Sequence, residues 1–286
     1  MQILQLSRLA QKLLSIIVWF LNKGTRMKTV ILAGGYGTRI AEESMFKPKP
    51  MVEIGGMPIL WHIMKHYSAF GFHEFVICAG YRQDVIKEWF ANYYIYTSDV
   101  TFDFNDHNKL IVHKSESEPW RVTIADTGLN TMTGGRIKRI RNYVNDEPFF
   151  LTYGDAVSNV NIEQLLKFHK SHGKTVTLTT VNIAQQKGVL DINKDNTIVS
   201  FREKEENDGA IVNGGFMVCN PEIFEYLFDD NTVLEQEPMR ELAKKGELKG
   251  FYHNGFWQCM DTKREKDLLE RLWVSDHVPW KTWVDA

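Results

Sequence analysis

A glycine-rich segment directly after a short apolar run is the feature with the clearest chemical meaning. Residues 28–32 (Lys-Thr-Val-Ile-Leu) lead into the segment from Gly34 to Arg39, which reads Gly-Gly-Tyr-Gly-Thr-Arg. Glycines let main-chain N–H groups approach a polyphosphate closely and tolerate the positive φ of a loop that folds over it. A dinucleotide fingerprint would need glycine at Ile40, and a P-loop would need Lys-Ser or Lys-Thr after its last glycine. The spacing excludes both motifs and leaves a different phosphate loop or a plain tight turn.

Basic residues near the glycine segment decide between these two interpretations. Arg39 closes the segment, and Lys47-Pro-Lys-Pro50 follows shortly after it. The two prolines stiffen a loop that presents lysine ammonium groups. We therefore expect a phosphate site, with Arg39 and Lys49 among its cations.

Two aspartates follow strand-like segments that lie far apart in the sequence. Asp155 comes just after the apolar segment 149–153, and Asp261 follows the segment 257–260. Open α/β sheets bind ligands at the carboxyl ends of their strands, so both aspartates are candidate metal ligands. Carboxylate oxygens together with substrate phosphates suit Mg²⁺ better than zinc. For either aspartate alone, capping of the next helix is an equal alternative.

The elements that must position these residues alternate between strand and helix. Short apolar runs and helical periodicity predict β-α-β-α-β order through about residue 181, which is typical of a parallel sheet with helices on both faces. The predicted strands are 28–32, 75–79, 122–125, 149–152 and 175–181, and the predicted helices are 58–70, 84–92 and 162–172. Beyond residue 181 we predict a hairpin over 189–201, a strand over 211–218 interrupted by Gly214 and Gly215, and helices over 222–228, 235–245 and 263–274.

Length and composition limit the class of protein. The chain has 286 residues, 43% of them hydrophobic and 24% charged, as in a globular protein and unlike a disordered one. The net charge of −2 argues against a protein that mainly binds nucleic acid. Three widely spaced cysteines offer neither a disulfide framework nor a zinc pattern, which favours a reducing compartment and a cytoplasmic location.

The first 26 residues look different from the remainder. Basic Arg8 and Lys12 precede an apolar run over 13–21, which imitates a signal peptide but is too short to span a membrane. We expect an extension outside the core. An amphipathic segment on a membrane or partner and a cleaved signal are the alternatives.

The glycine segment and Lys47-Pro-Lys-Pro50 together resemble the signature of the sugar-1-phosphate nucleotidyltransferase family. Further stretches resemble its cytidylyltransferase branch, which makes CDP-glucose for dideoxyhexose and O-antigen sugars: residues 51–56, 59–64, 118–120, 126–128, 132–136, 255–258 and 279–283. The resemblance covers residue 27 to about residue 283, so it suggests a nucleotidyltransferase domain over 27–286. Its nucleotide-binding part would span about 27–181, and its sugar-binding part with the C-terminal helices about 182–286.

The resemblance implies a fold, substrates and a metal. The fold is α/β, with a mostly parallel Rossmann-like sheet, helices on both faces and a smaller β-rich sugar-binding lobe. The substrates are CTP and glucose 1-phosphate, the cofactor is Mg²⁺, and the assembly is a homo-oligomer such as a hexamer. A sugar phosphate oxygen attacks the α-phosphorus and pyrophosphate leaves, so catalysis needs alignment of two anions and charge neutralisation more than a general base.

The resemblance also implies roles for individual residues. Arg39 and Lys49 would be catalytic. Nucleotide-binding residues would be Leu32, Ala33, Gly34, Gly35, Tyr36, Gly37, Thr38, Arg39, Lys49, Thr131, Arg136 and Gly154. Sugar-phosphate-binding residues would be Glu203, Lys204, Asn213 and Gly214, and the metal ligands Asp155 and Asp261. The chain departs from the family pattern at Glu205, Ala156 and Cys259, without loss of a ligand.

The stretch from Thr131 to Arg136 is polar and contains a glycine pair. We expect it to be a mobile loop that closes over the nucleotide, with Arg136 reaching phosphates in its own or a neighbouring subunit.

Other interpretations are weaker. The same reaction with UTP, dTTP, GTP or another sugar phosphate stays open, as does a non-catalytic sugar-nucleotide-binding regulator. A regulator would not need both metal carboxylates beside Arg39 and Lys49. His62 and His66 have a metal-compatible spacing on one helix but no third ligand nearby, so we expect them to be packing or surface residues.

Overall fold

The computed structural model describes residues 27–37, 47–115, 117–183, 189–192, 198–202 and 210–284. The expected N-terminal extension lies outside the described residues. No helix in these ranges is long and apolar enough to cross a membrane.

The described ranges contain sixteen strands and seven α-helices. The strands are β1 (Thr29–Ala33), β2 (Glu53–Ile54), β3 (Met57–Pro58), β4 (Glu74–Ala79), β5 (Ser98–Asp103), β6 (Lys109–Ser115), β7 (Arg121–Asp126), β8 (Phe149–Tyr153), β9 (Ala156–Ser158), β10 (Val176–Ile183), β11 (Val189–Ile192), β12 (Ile198–Arg202), β13 (Ala210–Asn213), β14 (Met217–Cys219), β15 (Leu248–His253) and β16 (Trp257–Cys259). The α-helices are α1 (Ile59–Ala69), α2 (Gln83–Tyr96), α3 (Thr133–Arg139), α4 (Arg141–Val144), α5 (Ile162–His172), α6 (Glu237–Lys244) and α7 (Lys263–Trp273). Short 3₁₀ helices lie at Lys49–Met51 and Pro221–Tyr226.

The central sheet has parallel strands at its centre. β1 pairs in parallel with β4 and β8, and β4 pairs in parallel with β7. β14 joins β8 to β10 by antiparallel pairing, and β10 also pairs with β13 and, in parallel, with β15. Strands from both sides of residue 181 therefore share one sheet. The α/β fold class is confirmed.

Side-chain alternation along β1 explains why both faces of the sheet are covered. Val30 and Leu32 pack into one apolar cluster, which also contains Ile137 of α3. Ile31 and Ala33 point to the opposite cluster, which includes much of α1. A strand buried on both faces reads as a continuous apolar run, which is why β1 was easy to predict.

The C-terminal tail packs on α1 through histidines and tryptophans. His62 donates from Nε2 to the Ile54 carbonyl (2.9 Å) and accepts at Nδ1 from the Trp280 indole (3.4 Å). His66 Nδ1 lies 2.8 Å from the Thr282 hydroxyl. Both imidazoles are buried. Of the two expected roles, packing or surface, the structure shows packing for both histidines.

These two histidines predict loss of stability in mild acid. Burial lowers the pKa of His62 to about 4 and that of His66 to about 3, from about 6.5 in an unfolded chain. The folded protein keeps both neutral, whereas the unfolded chain binds protons below about pH 6.5. The free energy of unfolding is therefore highest above about pH 6.5. It falls toward pH 4, by up to about 1.4 kcal/mol per pH unit for each histidine.

Urea unfolding at about pH 7, 6 and 5 measures this loss. A double variant, His62→Gln with His66→Asn, keeps an amide near the Ile54 carbonyl and near the Thr282 hydroxyl but cannot titrate. We expect its free energy of unfolding to change less with pH than that of the wild type. Equal pH slopes in the two proteins would contradict the assignment.

Most predicted elements exist, and the differences have local causes. The hairpin over 189–201 is confirmed as β11 paired antiparallel with β12. The strand over 211–218 is divided into β13 and β14, because Gly215 and Phe216 have positive φ between them. The hairpin of β5 and β6 was not predicted, and most residues of its two strands are exposed or only partly buried.

Candidate active site

A cleft of about 520 Å³ opens at the carboxyl ends of the parallel strands, a size typical of small-molecule sites. Its walls come from the segments that follow β1, β7 and β8, together with the 3₁₀ turn at Lys49. The lining residues are Leu32, Ala33, Gly34, Gly35, Tyr36, Gly37, Lys49, Pro50, Leu129, Asn130, Thr131, Met132, Thr133, Arg136, Tyr153, Gly154, Asp155 and Asp261.

The buried guanidinium of Arg136 holds the floor of this cleft. Its Nη2 donates to the carbonyls of Gly34 (2.9 Å) and Leu129 (3.2 Å). Its Nη1 donates to the carbonyl of Gly128 (2.7 Å), the hydroxyl of Thr127 (2.8 Å) and, more weakly, the Ala79 carbonyl (3.4 Å). One side chain thus joins the ends of β1, β4 and β7.

Gly34 leaves space for the Arg136 guanidinium, which lies against it. A Cβ at this position would stand 2.1 Å from Nη1 of Arg136. The glycine segment is therefore shaped by a residue about a hundred positions later.

The expectation of a mobile loop at residues 131–136 is wrong. Residues from Thr133 onward form α3, and Arg136 is only 5% exposed. The glycine pair permits close packing: a Cβ at Gly134 would meet Thr232 at 2.7 Å, and one at Gly135 would meet the Asp230 main chain at 2.6 Å. Arg136 lines the cleft, and its guanidinium binds main-chain carbonyls.

A three-residue ladder brings the two predicted metal aspartates together. β9 and β16 pair antiparallel, with Ala156 opposite Cys259. Asp155 directly precedes β9, and Asp261 follows two residues after β16. The Met260 amide also donates to the Asp155 carbonyl (2.8 Å). The departures from the family pattern at Ala156 and Cys259 are thus partners in the ladder that aligns both carboxylates.

A capping box fixes the main chain at Asp261. Thr262 caps α7, and the Glu265 carboxylate accepts from the amides of Asp261 (2.7 Å) and Thr262 (2.8 Å). The Glu265 carboxylate of α7 thus satisfies the main-chain amides at the start of the helix. The Asp261 carboxylate is therefore not needed as a helix cap. The Thr-x-x-Glu pattern from Thr262 to Glu265 is the signal in the sequence that could have identified this cap.

Lys49 connects both carboxylates. Its ammonium donates to Asp155 Oδ2 (2.7 Å) and to Asp261 Oδ1. Burial lowers the pKa of Lys49, but the two carboxylates outweigh this effect, so the pKa lies above its ordinary value. The lysine is charged at neutral pH and lines the cleft.

The donor set fits a magnesium ion better than a zinc ion. Oxygens of Asp155 and Asp261 converge on one ammonium, so they can converge on one metal ion. Among the described residues there is no group of three or more histidines, cysteines or acidic residues that could hold a metal. Mg²⁺ is commonly held by one or two carboxylates plus substrate phosphates and water, whereas zinc needs three or four protein ligands.

The other predicted site residues have different positions. Thr38, Arg39, Glu203 and Lys204 lie outside the described residues. The Asn213 amide reaches the cleft indirectly, by donating to the Tyr153 hydroxyl (3.4 Å).

Gly214 and the residues of the glycine segment make further contacts. The Gly214 carbonyl accepts from the Trp257 indole (2.7 Å). Within the glycine segment, the Tyr36 hydroxyl donates to the side chain of Asn130 (2.9 Å), across the mouth of the cleft.

Several cleft residues were not predicted. Tyr153 and Thr133 line the cleft, and both donate to Glu235, at 2.6 Å and 2.7 Å. No sequence motif marked Glu235, because its role depends on contacts across about a hundred residues.

Comparison with known proteins agrees with this geometry. A family model described as nucleotidyl transferase matches residues 28–269. The chain is 54% identical over 258 residues to the glucose-1-phosphate cytidylyltransferase of Salmonella typhimurium, covering 90% of this chain and 100% of that protein. It is 31% identical over 251 residues to the mannose-1-phosphate guanyltransferase of Aspergillus oryzae, covering 85% of this chain and 62% of that protein.

A solved structure has the same fold. HddC from Yersinia pseudotuberculosis superposes with a TM-score of 0.62 at 22% identity, covering 86% of this chain and 99% of that one. The match of the family model over most of the chain, together with these relatives, confirms the resemblance seen in the motifs. The chain belongs to the nucleotidyl transferase family.

Proposed function

We propose that the protein transfers the cytidylyl group of CTP to α-D-glucose 1-phosphate, giving CDP-glucose and pyrophosphate. The observation that carries the proposal is the convergence of Lys49, Asp155 and Asp261 at the wall of the cleft whose floor is the glycine segment. The 54% identity to the Salmonella typhimurium cytidylyltransferase supports this choice of substrates.

The arrangement suits an attack by one anion on another. The glycine segment presents main-chain amides at the end of β1, and the Lys49 ammonium supplies a positive charge at the cleft wall. Since the attacking phosphate oxygen is already ionised at neutral pH, the site needs to align and neutralise rather than to remove a proton. A bound Mg²⁺ would be held by Asp155 and Asp261 and would neutralise phosphate charge.

The sugar-phosphate residues remain part of the proposal. Asn213 and Gly214 lie on the side of the cleft formed by Tyr153, next to the junction of β13 and β14. Glu203 and Lys204 are proposed as further contacts on the strength of the family motif. The product would serve dideoxyhexose and O-antigen sugar synthesis.

A closed homo-oligomer, such as a hexamer, is also proposed from the family. Sedimentation equilibrium measures the assembly directly, and a monomer at working concentration would contradict it. The cytoplasmic location stays a prediction from cysteine usage. Cys78, Cys219 and Cys259 are all free thiols.

Pyrophosphate release with CTP, UTP, dTTP and GTP, each with several sugar phosphates and Mg²⁺, tests the proposed reaction. We expect kcat/KM to be highest for CTP with glucose 1-phosphate. A double variant with Asp155→Ala and Asp261→Ala serves as the inactive control. Faster turnover with another nucleotide would replace the substrate assignment, and binding without turnover of any pair would favour a regulator.

A further inference from the structure

The carboxylate of Glu235 receives hydrogen bonds from two different walls of the cleft. The Tyr153 hydroxyl donates to Oε1 (2.6 Å), and the Thr133 hydroxyl donates to Oε2 (2.7 Å). Glu235 is exposed and does not line the cleft itself. It therefore acts on the cleft only through the two residues that it binds.

Tyr153 belongs to the wall that carries the metal aspartate and the proposed sugar contacts. It ends β8 two residues before Asp155, and Asn213 donates to its hydroxyl (3.4 Å). Its ring also lies where a Cβ at Gly215 would come within 3.1 Å.

Thr133 belongs to the wall that carries the glycine segment. It is the first residue of α3, three positions before Arg136, whose guanidinium holds the Gly34 carbonyl. The Thr133 hydroxyl also accepts from the Leu234 amide (2.9 Å). Displacement of Thr133 would therefore be transmitted to the floor of the cleft.

The segment that carries Glu235 is itself attached to α3. The Met132 amide donates to the Asp230 carbonyl (2.7 Å), and the Gly135 amide donates to the Thr232 carbonyl (3.2 Å). Main-chain hydrogen bonds thus hold the segment of Glu235 to α3. Through its side chain, Glu235 can then hold Tyr153 in a fixed position relative to α3.

We propose that Glu235 is a positioning residue that sets the separation of the nucleotide side and the sugar side of the cleft by binding Thr133 and Tyr153 together. The kinetic part of this inference rests on the proposed function. Alignment of two substrates is the main contribution of such a site, so a small change in the separation has a measurable effect.

Single variants test the two hydrogen bonds of Glu235 separately. Tyr153→Phe should raise KM for glucose 1-phosphate about fivefold and leave KM for CTP nearly unchanged. Thr133→Val should do the reverse, by a similar factor of about five. Glu235→Ala should raise both KM values and lower kcat about tenfold, and a Tyr153→Phe/Thr133→Val double variant should reproduce it.

Two controls separate positioning from charge and from general damage. Glu235→Gln keeps an oxygen that accepts from the Tyr153 hydroxyl, and its NH₂ group can donate to the Thr133 hydroxyl oxygen, which reverses that bond. The variant should therefore restore most of the loss despite removing the charge. Glu237→Ala removes an exposed carboxylate two residues away, near Arg240 (3.9 Å), and should change neither KM. If Glu235→Gln is as impaired as Glu235→Ala, the role is electrostatic and the proposal is wrong.

Hydrogen exchange of the ligand-free protein gives a readout that does not depend on the reaction. Glu235→Ala should accelerate amide exchange at residues 129–137 and at residues 153–155 together, whereas Glu237→Ala should not. If the wild type proves inactive with CTP, the proposed function fails and this measurement still decides the positioning role. Unchanged exchange at both segments would overturn it.

Discussion

Replacing Asp155 by asparagine should lower kcat on the order of 10²-fold or more, with partial recovery at high Mg²⁺. The change keeps the size of the side chain but removes one of the two charges that converge on Lys49. With one carboxylate left, a hard divalent cation is held more weakly, so metal affinity and kcat should fall together. Titrating Mg²⁺ at saturating CTP measures both.

Asp146→Asn is the matched control for this variant. It removes a carboxylate of the same kind from an exposed ion pair with Arg141 (2.8 Å), where the aspartate side chain is 60% exposed, against 32% for Asp155. Surface pairs contribute little, so kcat should stay within about twofold. A loss in Asp155→Asn that no Mg²⁺ concentration reduces would rule out the metal role.

Arg136→Ala should both destabilise the protein and raise KM for CTP. Truncation leaves the carbonyls of Gly34, Gly128 and Leu129 without their buried donor. Each lost hydrogen bond to a buried charged group lowers the free energy of unfolding by about 1.5–3 kcal/mol. Because the surrounding structure relaxes, the losses do not add in full, and we expect a total loss of about 3–5 kcal/mol. KM for CTP should rise at least about tenfold, because the glycine segment loses its support, and added Mg²⁺ should not correct it.

Two further variants test whether Arg136 supports the loop or only carries charge. Arg136→Lys keeps the charge but cannot span carbonyls on both sides of the guanidinium, so it should remain impaired. Arg139→Ala, from the same helix, removes an exposed ion pair with Asp230 and should cost less than about 1 kcal/mol. Full activity and stability in Arg136→Lys would favour the direct phosphate contact that the sequence suggested.

The parts of the fold and site that could be predicted depend on short stretches of sequence. The bounds of α5 were predicted correctly, because Asn161 caps its start and Gly173 ends it in the left-handed conformation. The glycine segment and Asp155 follow strands that are mostly apolar and almost entirely buried, so their position at the edge of the sheet could be predicted. These are short-range signals that periodicity and turn chemistry make visible.

The parts that could not be predicted depend on contacts between distant segments. The glycine pair before Arg136 indicated a loop because glycine weakens helices, yet in α3 it permits packing against the segment that carries Thr232. Glu235 has no motif because both of its donors lie at least 82 residues away in the sequence. Only the folded structure brings these groups together.

The ladder between β9 and β16 has a consequence for the order in which the protein acquires its activity during synthesis. Lys49 contacts Asp155 across 106 residues and Asp261 across 212 residues of chain. A nascent chain that has emerged from the ribosome only as far as β15 already contains the glycine segment, Lys49 and Asp155. It still lacks β16, the strand that aligns the second carboxylate. Contacts of such long range form late, since their loop-closure entropy must be overcome first. On the proposed role of Asp261 as a metal ligand, nucleotide chemistry begins only after nearly the whole chain has emerged.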